Sequence, residues 1–293
     1  MSRVLVSGAT GFIGRALVER LRSKGIEVAA IDSSLGDIAE EKTLESFAHN
    51  DLVHMFHLAA RTFVPDSWQY PHSFLKTNVL GTSNALEFCR KHEIPMTYVS
   101  AYVYGHTATL PVAESSDVRP SNPYALTKWL GENLCEFYFD IFGLPITVVR
   151  PFNVFGPRQA GHFLIPMIIE QVLGMSPEIL VKDLLPKRDY VYLDDLVNAL
   201  VATMGLPKGY RTFNVGSGVS LSVQQVIDVI QTVACTNKKI ISTDDKRNNE
   251  IYDVVADISN AKEVLSWVPE YSFRDGIEKI MKFERSNDHH ERA

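Results

Sequence analysis

Apolar residues in the first half of the chain come in short blocks, separated by longer stretches that are apolar on one side only. The blocks at 3–7, 27–31, 52–58, 96–100 and 146–150 have the length and the aliphatic and aromatic content of buried strands. The stretches between them predict helices: one ending near Lys24, one over 41–49, one over 73–91 and one over 123–142. Strand and helix alternating in this way build a parallel sheet, because a parallel neighbour is reached only by crossing over a sheet face, and that crossover is right-handed. The last two helices carry apolar side chains on more than one face, among them Phe88, Trp129, Leu134, Phe137 and Phe142. They read either as helices that cover a sheet or as helices that also meet a second subunit.

After Arg150 the rhythm breaks into Gly, Pro and irregular segments, where a doubly wound domain hands over to a substrate lobe. The expected fold class is therefore α/β: a doubly wound parallel sheet of Rossmann type with a smaller, discontinuous α/β lobe that binds substrate. Residues 1–155 form the first unit, and 188–205 return to it with a strand at 190–193 and a helix at 194–204. Residues 156–187 and 206–293 form the second. No internal repeat or low-complexity tract interrupts this plan.

Composition narrows the chemistry. At 293 residues, 45% of them hydrophobic, the chain is long enough for one catalytic domain and a modest second lobe. Its net charge of −6 and the absence of a basic stripe argue against nucleic acid as a partner. Cys89, Cys135 and Cys235 are odd in number and lack metal-ligand spacing, which suits free thiols in a reducing compartment and no metal site. The chain opens on a strand without a charged leader, and no run reaches the roughly 18 apolar residues of a membrane span, so the cytoplasm is the expected location and no membrane contact is expected.

Two constellations carry chemistry. Gly8, Gly11 and Gly14 lie between the first strand and the first helix, where a side chain would keep a pyrophosphate from the backbone amides and from the positive helix end. The spacing G-x-x-G-x-x-G is weak alone, and a Gly-rich turn without a ligand competes with it. Asp32 follows the second strand 18 residues after Gly14, where a carboxylate accepts hydrogen bonds from ribose hydroxyls. No Arg or Lys follows among Ser33, Ser34, Leu35 and Gly36 to receive a 2′-phosphate, so NAD is expected rather than NADP. Asp37 and Ile38 come next and stand where they flank the adenine, or where an acidic residue simply leads a helix.

The second constellation is Asn122-Pro123-Tyr124-Ala125-Leu126-Thr127-Lys128, a helix start with a cap at Asn122 and Pro at the first helical position. Tyr124 and Lys128 share one helix face four residues apart. An adjacent ammonium and a nicotinamide cation would stabilise the phenolate and make Tyr124 a general base near neutral pH. Ser100 closes a strand at the carboxyl edge of the sheet, 24 residues before Tyr124, and its hydroxyl can meet the reacting oxygen. A lone Tyr-x-x-x-Lys is common on surface helices, and it is the company of Ser100 and the glycine turn that points to catalysis.

With Gly8, Gly11, Gly14, Ser100-Ala101-Tyr102-Val103-Tyr104-Gly105, Tyr124-x-x-x-Lys128 and Arg150-Pro151-Phe152-Asn153 in this order, the chain resembles the extended short-chain dehydrogenase/reductases, and within them the NAD-dependent epimerase/dehydratase branch. The likeness runs over nearly the whole chain. It implies that Gly8, Gly11, Phe12, Ile13, Asp32, Asp37, Ile38, Leu58, Ala59, Ala60 and Asn78 line the NAD site, with Tyr124 and Lys128 at the nicotinamide ribose. His57 falls in a backbone wall rather than at an acid's position. The likeness also implies substrate contacts: Ser100 and Asn153 at the sugar and diphosphate, Leu164 at the nucleobase, Arg188 and Arg247 on the diphosphate, and Glu250 at the ribose. Two arginines suit a diphosphate because a guanidinium donates paired hydrogen bonds. Asn248-Asn249-Glu250 departs from the family's usual Pro-Gly-Asp, and Lys182-Asp183-Leu184-Leu185 from its usual Gly-Asp-Gly turn. A homodimer through a four-helix bundle is a further implication, as is a setting in polysaccharide precursor supply.

The residues after Ser100 decide among reactions. Dehydratases of the branch place Asp-Glu there to remove water, whereas this chain has Ala101-Tyr102. Two readings then stand: a nucleotide-sugar epimerase that transiently oxidises C4, like the UDP-glucose and UDP-N-acetylglucosamine 4-epimerases, or an NAD(P)H-dependent reductase of a nucleotide-4-keto-6-deoxy-sugar. Val254 stands where some epimerases place a gate residue, and equally reads as an ordinary buried Val. A catalytically silent nucleotide-binding regulatory protein is the remaining class, and it would have no use for Ser100, Tyr124 and Lys128.

Overall fold

The computed structural model describes residues 3–49, 51–107, 109–245 and 250–291. In chain order the elements are β1 (Arg3–Ser7), α1 (Phe12–Ser23), β2 (Glu27–Ile31), α2 (Glu41–Glu45), β3 (Leu52–His57), α3 (Val64–Gln69), α4 (Pro71–Phe74), a π-helical segment (Leu75–Leu80), α5 (Gly81–Lys91), β4 (Met96–Val99), α6 (Pro123–Phe142) and β5 (Ile146–Pro151). The second half adds β6 (Asn153–Phe155), α7 (Leu164–Leu173), β7 (Glu178–Val181), β8 (Lys187–Tyr192), α8 (Leu193–Thr203), β9 (Tyr210–Val215), β10 (Ser220–Ser222), α9 (Val223–Ala234), β11 (Lys239–Ser242), α10 (Ser259–Leu265) and α11 (Phe273–Glu291).

Six parallel strands form the main sheet in the order β2-β1-β3-β4-β5-β9. The chain leaves β1 toward β2 and returns across it to β3, so the crevice between the carboxyl ends of β1 and β3 is the switch point at which open α/β sheets bind ligands. Helices cover both faces, because strands buried on two sides need apolar partners above and below. Leu17, Val18 and Leu21 of α1 pack with Leu196, Val197 and Leu200 of α8 on one face. Ala85, Leu86, Phe88 and Cys89 of α5 and Cys135 of α6 cover the other. A separate apolar core around Phe155, Ile168, Ile227 and Ile277 supports two small sheets, β10-β8-β6 and β11-β7.

The fold is the doubly wound α/β architecture expected, with corrections to single elements. The helix expected over 41–49 stops at Glu45, where the Ser46 hydroxyl turns back onto the Thr43 carbonyl at 2.9 Å and competes with the helical ladder. The helix expected over 73–91 is three pieces, with the wider π turn in the middle. The strand expected at 190–193 to return to the main sheet is β8, which lies in the three-stranded sheet instead. Only the helix after it, α8, comes back to the main core. The sixth strand of the main sheet is β9, inside the range expected to form the second lobe. As an edge strand it exposes part of its first three residues, so Tyr210-Arg211-Thr212 lacks the apolar run that marks a central strand.

Candidate active site

The turn after β1 is shaped by what glycine lacks. Gly8 has φ +72°, and a Cβ there would lie 2.8 Å from the Ala59 nitrogen. At Gly14 a Cβ would meet the Gly8 carbonyl oxygen at 2.1 Å, so this glycine brings α1 close against β1. Helix α1 begins at Phe12 with Gly11 as its N-cap and no side-chain cap, which leaves its first amides to a ligand. Phe12 and Ile13, in its first turn, pack partly against the core. Asp32 leaves the end of β2, and its Oδ1 accepts the Ser34 amide at 2.8 Å and the Ser34 hydroxyl at 2.5 Å. Those hydrogen bonds, the hydroxyl's first, hold its carboxyl below the usual range and keep it an acceptor. An uncapped helix start after β1 and an ionised carboxylate after the neighbouring β2 fit a dinucleotide with its pyrophosphate at the first and its ribose at the second. Asp37 makes a 2.8 Å ion pair with Lys76, and Ile38 is buried against Gly81 in the α5 core.

Leu58, Ala59 and Ala60 follow β3 and line the opposite side of the crevice. A run of hydrogen bonds fixes that wall from behind, and its protons can be assigned. The Thr82 hydroxyl donates to the Asn78 carbonyl at 2.6 Å, so it accepts from His57 Nε2 at 3.1 Å. His57 Nδ1 then accepts from the Ser7 hydroxyl at 2.7 Å, whose oxygen takes the Ala59 amide at 3.3 Å. Burial, helped by the charge of Lys128, lowers the His57 pKa to about 3, so the ring is a neutral connector, in keeping with its reading as wall. Asn78 lies fully buried in the π segment. Its Oδ1 accepts the Arg61 amide at 2.8 Å, and its Nδ2 donates to the Arg61 carbonyl at 3.0 Å and to Thr127 Oγ1 at 2.9 Å. Both amide protons are thus engaged, and Asn78 holds the wall to α6 from within.

Helix α6 starts as its sequence predicts. Asn122 Oδ1 accepts the Ala125 amide at 2.8 Å, Pro123 opens the first turn, and Gly143 at φ +68° ends the helix. Tyr124 is half-buried and Lys128 buried on the same face. The Lys128 ammonium lies 4.2 Å from the centre of the Tyr98 ring, and burial lowers its pKa to about 7. Burial also pushes the Tyr124 phenol upward. The expected lowering of the phenol by an ammonium together with a nicotinamide cation is therefore not seen from Lys128 in the cofactor-free chain, where burial dominates and the ammonium faces Tyr98.

The residue that sequence reading missed is Glu132, one further turn along that face and only 1% exposed. The Ser100 hydroxyl donates to its Oε1. Arg150 grips the same carboxylate through Nε at 3.0 Å and Nη2 at 2.5 Å, and donates through Nη1 to the Tyr104 hydroxyl at 2.7 Å. Burial works against the Arg150 charge, yet the Glu132 contacts outweigh it and raise its pKa. The signal that could have found Glu132 is its spacing: an acid at i+8 from Tyr124 and i+4 from Lys128 in a helix otherwise rich in apolar residues.

Toward the second lobe, Asn153 Nδ2 donates to the Asp189 carbonyl at 3.1 Å, and Leu164 opens α7 half-buried. Arg188 and Glu250, expected at a diphosphate and a ribose, are brought together as an ion pair, and Arg188 also donates to the Ile251 carbonyl at 2.5 Å. A diphosphate on Arg188 would have to share it with Glu250. Arg247 lies outside the described residues. Val254 is sealed in a core with Tyr104, Val112 and Phe152, so the buried-Val reading holds. Among the described residues no helix is long and apolar enough to cross a membrane, and no group of three or more His, Cys, Asp or Glu could hold a metal ion.

Hydride exchange between a dinucleotide and an alcohol carbon asks for a pyrophosphate cradle and, across the crevice, a phenol with a lysine beside it. The switch point of this sheet has the first and α6 the second, which places the chain among the dinucleotide-dependent enzymes of Rossmann fold. More narrowly, it belongs to the NAD dependent epimerase/dehydratase family, whose sequence model matches residues 4–216, and NAD is its cofactor. It is 31% identical to a UDP-glucose 4-epimerase of Mycolicibacterium smegmatis over 97% of this chain and 99% of that one. A GDP-6-deoxy-D-mannose reductase of Pseudomonas aeruginosa is 27% identical over 95% and 96% of the two chains. The crystal structure of a UDP-glucose 4-epimerase from Thermotoga maritima, solved with UDP-glucose, superposes with a TM-score of 0.90 at 27% identity, covering 97% of this chain and 99% of that one. The chain is accordingly an enzyme of the isomerase or oxidoreductase type.

Proposed function

We propose that this chain is a nucleotide-sugar 4-epimerase, acting on a UDP-hexose or UDP-N-acetylhexosamine, with Tyr124 as its acid and base, Lys128 beside it and Ser100 on the reacting oxygen. The observation that carries the reading is the shared face of α6: Tyr124, Lys128 and Glu132 follow one another turn by turn, and Ser100 is bonded to the last of them. Gly8, Gly11, Phe12, Ile13, Asp32, Leu58, Ala59 and Ala60 would hold NAD, which when bound accepts and returns the C4 hydrogen as hydride. Tyr124 takes the C4 hydroxyl proton as the carbon is oxidised and gives it back after the keto sugar has turned its other face. Dehydration is not supported, because Ala101 and Tyr102 offer no carboxylate and Glu132 is committed to Arg150 and Ser100.

The second lobe would carry the nucleotide, with Arg188 on the diphosphate, Asn153 and Leu164 nearby and Glu250 at the ribose. Reduction of a nucleotide-4-keto-6-deoxy-sugar is the second reading, favoured by the likeness to the Pseudomonas reductase and by the Lys182-Asp183-Leu184-Leu185 loop. We further place two copies of the chain together in a homodimer, on the exposed apolar side chains Leu126, Phe137 and Ile141 of α6. A cytoplasmic role in supplying polysaccharide precursors is the setting this reading suggests.

Purified protein should release NAD on denaturation and interconvert UDP-glucose and UDP-galactose without added cofactor. Tyr124→Phe should keep its NAD and lose turnover by two or more orders of magnitude, about the scale of a lost general acid or base. Turnover near the wild-type rate in that variant removes Tyr124 from the mechanism. Consumption of one reduced nicotinamide per keto sugar, by protein that carries no NAD, replaces the epimerase by the reductase.

A further inference from the structure

We propose that Tyr98 is a positioning residue for Lys128, whose buried ammonium its ring face holds in place as a cation. The ring does this without a counter-charge, so the field of the ammonium still reaches Tyr124. The inference rests on the reading of Tyr124 and Lys128 as the catalytic pair, and deepens it.

The pleat of β4 sends Met96 and Tyr98 into the core under α5 and α6, and Val99 into the opposite one. Tyr98 is fully buried, and its hydroxyl donates to the Lys128 carbonyl at 3.2 Å, which ties the ring to the main chain of the residue it serves. Its rim reaches that far into α6 only because residue 131 is glycine: a Cβ there would lie 2.2 Å from the Tyr98 hydroxyl oxygen. His57, the register partner of Tyr98 on β3, stacks with it at 5.9 Å between ring centres and 25° between planes. Held at its rim and from β3, the ring presents a face to the Lys128 ammonium at 4.2 Å, on a residue itself only 2% exposed.

What a buried ammonium finds around it decides whether it stays charged. The ionisable groups that face Lys128 are Tyr124, Glu132 and Cys135 on its own helix, His57 on β3 and Tyr98 on β4. Burial keeps the Cys135 thiol and the Tyr98 phenol protonated and the His57 ring neutral. Glu132 is the one carboxylate among them, and Arg150 of β5 matches its charge in an ion pair at 2.5 Å. Among the described residues, the electrostatic partner in contact with the Lys128 ammonium is therefore the Tyr98 ring. A carboxylate in that place would cancel the charge it held. A ring face stabilises the charge and leaves it, which is what a phenol four residues back requires in order to ionise. A desolvated contact of this kind is worth about one pKa unit or more to a lysine. With burial holding Lys128 at about 7, one unit further down would take the cation at pH 7 from about half of the molecules to about a tenth.

The charge of Lys128 can be followed directly, whatever sugar the enzyme turns over. Protein carrying isotope-labelled lysine, purified with its NAD, is titrated by NMR, with Lys128→Met to assign the signal. Tyr98→Leu should lower the Lys128 pKa by about one unit relative to wild type. Tyr98→Phe, which keeps the ring face and loses only the hydroxyl, should titrate with wild type. Tyr98→Phe carrying one, two or three ring fluorines keeps the packing and drains electron density from the face, so the pKa should fall with each fluorine. In turnover of UDP-glucose the alkaline limb of the kcat/KM profile should move down together with that pKa, because the ammonium beside Tyr124 is then lost at lower pH.

An unchanged or raised Lys128 pKa in Tyr98→Leu overturns the proposal, since the ring would then be packing and nothing more. So does a flat fluorine series, which would assign the hold to shape rather than to charge. If Tyr98→Leu does not fold, the fluorine series decides. An alkaline limb that stays in place while the Lys128 pKa falls means that the field does not reach Tyr124, and overturns the catalytic part of the proposal. Protein that turns over no nucleotide sugar defeats the epimerase reading, and the titration still judges Tyr98 separately.

Discussion

An ammonium taken out of water loses solvation that a ring face only partly replaces, and Lys128 shows the effect in its pKa of about 7 against an ordinary 10.5. The sign of its contribution to stability follows. Between the folded value near 7 and the unfolded value near 10.5, the unfolded chain binds a proton that the folded chain refuses, so stability rises with pH across that window and is lost as pH falls through it. Lys128→Met removes the titration and keeps the apolar stem. In cofactor-free protein it should be the more stable form below about pH 7, by on the order of a few kcal/mol, with the advantage fading toward pH 10. Urea unfolding of both proteins across that range checks this, and parallel pH curves refute it. The Tyr124–Lys128 spacing was legible in the sequence because a helix start, a Pro and two polar residues at i and i+4 are local facts. The direction of the Tyr124 shift was not, because it depends on how deeply the helix start is buried by elements distant in sequence.

Strands and helices of the first half were readable nearly to the residue: β1, β2 and α6 fall as expected. The π segment was invisible, since a side-chain period of 3.6 residues does not announce one turn of wider pitch. What the wider turn does is carry Asn78 inward, where it joins the Arg61 backbone after β3 to Thr127 of α6. Thr127 donates to the Tyr124 carbonyl at 2.8 Å, so the cofactor wall and the first turn of the catalytic helix are linked through one amide. Asn78→Ala leaves the Arg61 amide and carbonyl and the Thr127 hydroxyl to find other partners. The variant should lose about 2–4 kcal/mol in denaturant unfolding and retain less NAD on purification. A loss below about 0.5 kcal/mol would show that these elements hold their places without the link. His57, by contrast, was read as wall from the family resemblance, and the structure adds that the ring is buried between Ser7 and Thr82 and which of its nitrogens carries the proton.

At the scale of the whole molecule, what the sequence hid was long-range: the main sheet closes on β9, reached only after the chain has left it for β6, β7 and β8. An edge strand with a polar start reads like loop, and no local pattern says which sheet a strand will join. The outer face of α6 raises a different question. Leu126, Leu130, Phe137 and Ile141 recur along it at helical spacing, and Phe137 and Ile141 are 52% and 62% exposed. Scattered apolar residues on a surface are ordinary, but a row along one helix is what a helical subunit contact uses. Two such helices meeting about a two-fold axis would set each row against its own copy, which makes the contact self-complementary and closed at two subunits. The wild-type chain should therefore sediment at twice its 32.9 kDa, independent of loading over a wide range. Phe137→Asp combined with Ile141→Asp buries like charges across the axis and should yield a monomer that keeps its NAD, since neither residue belongs to the proposed cofactor wall. A wild-type monomer, or a double variant that still sediments as a dimer, removes this face from the assembly.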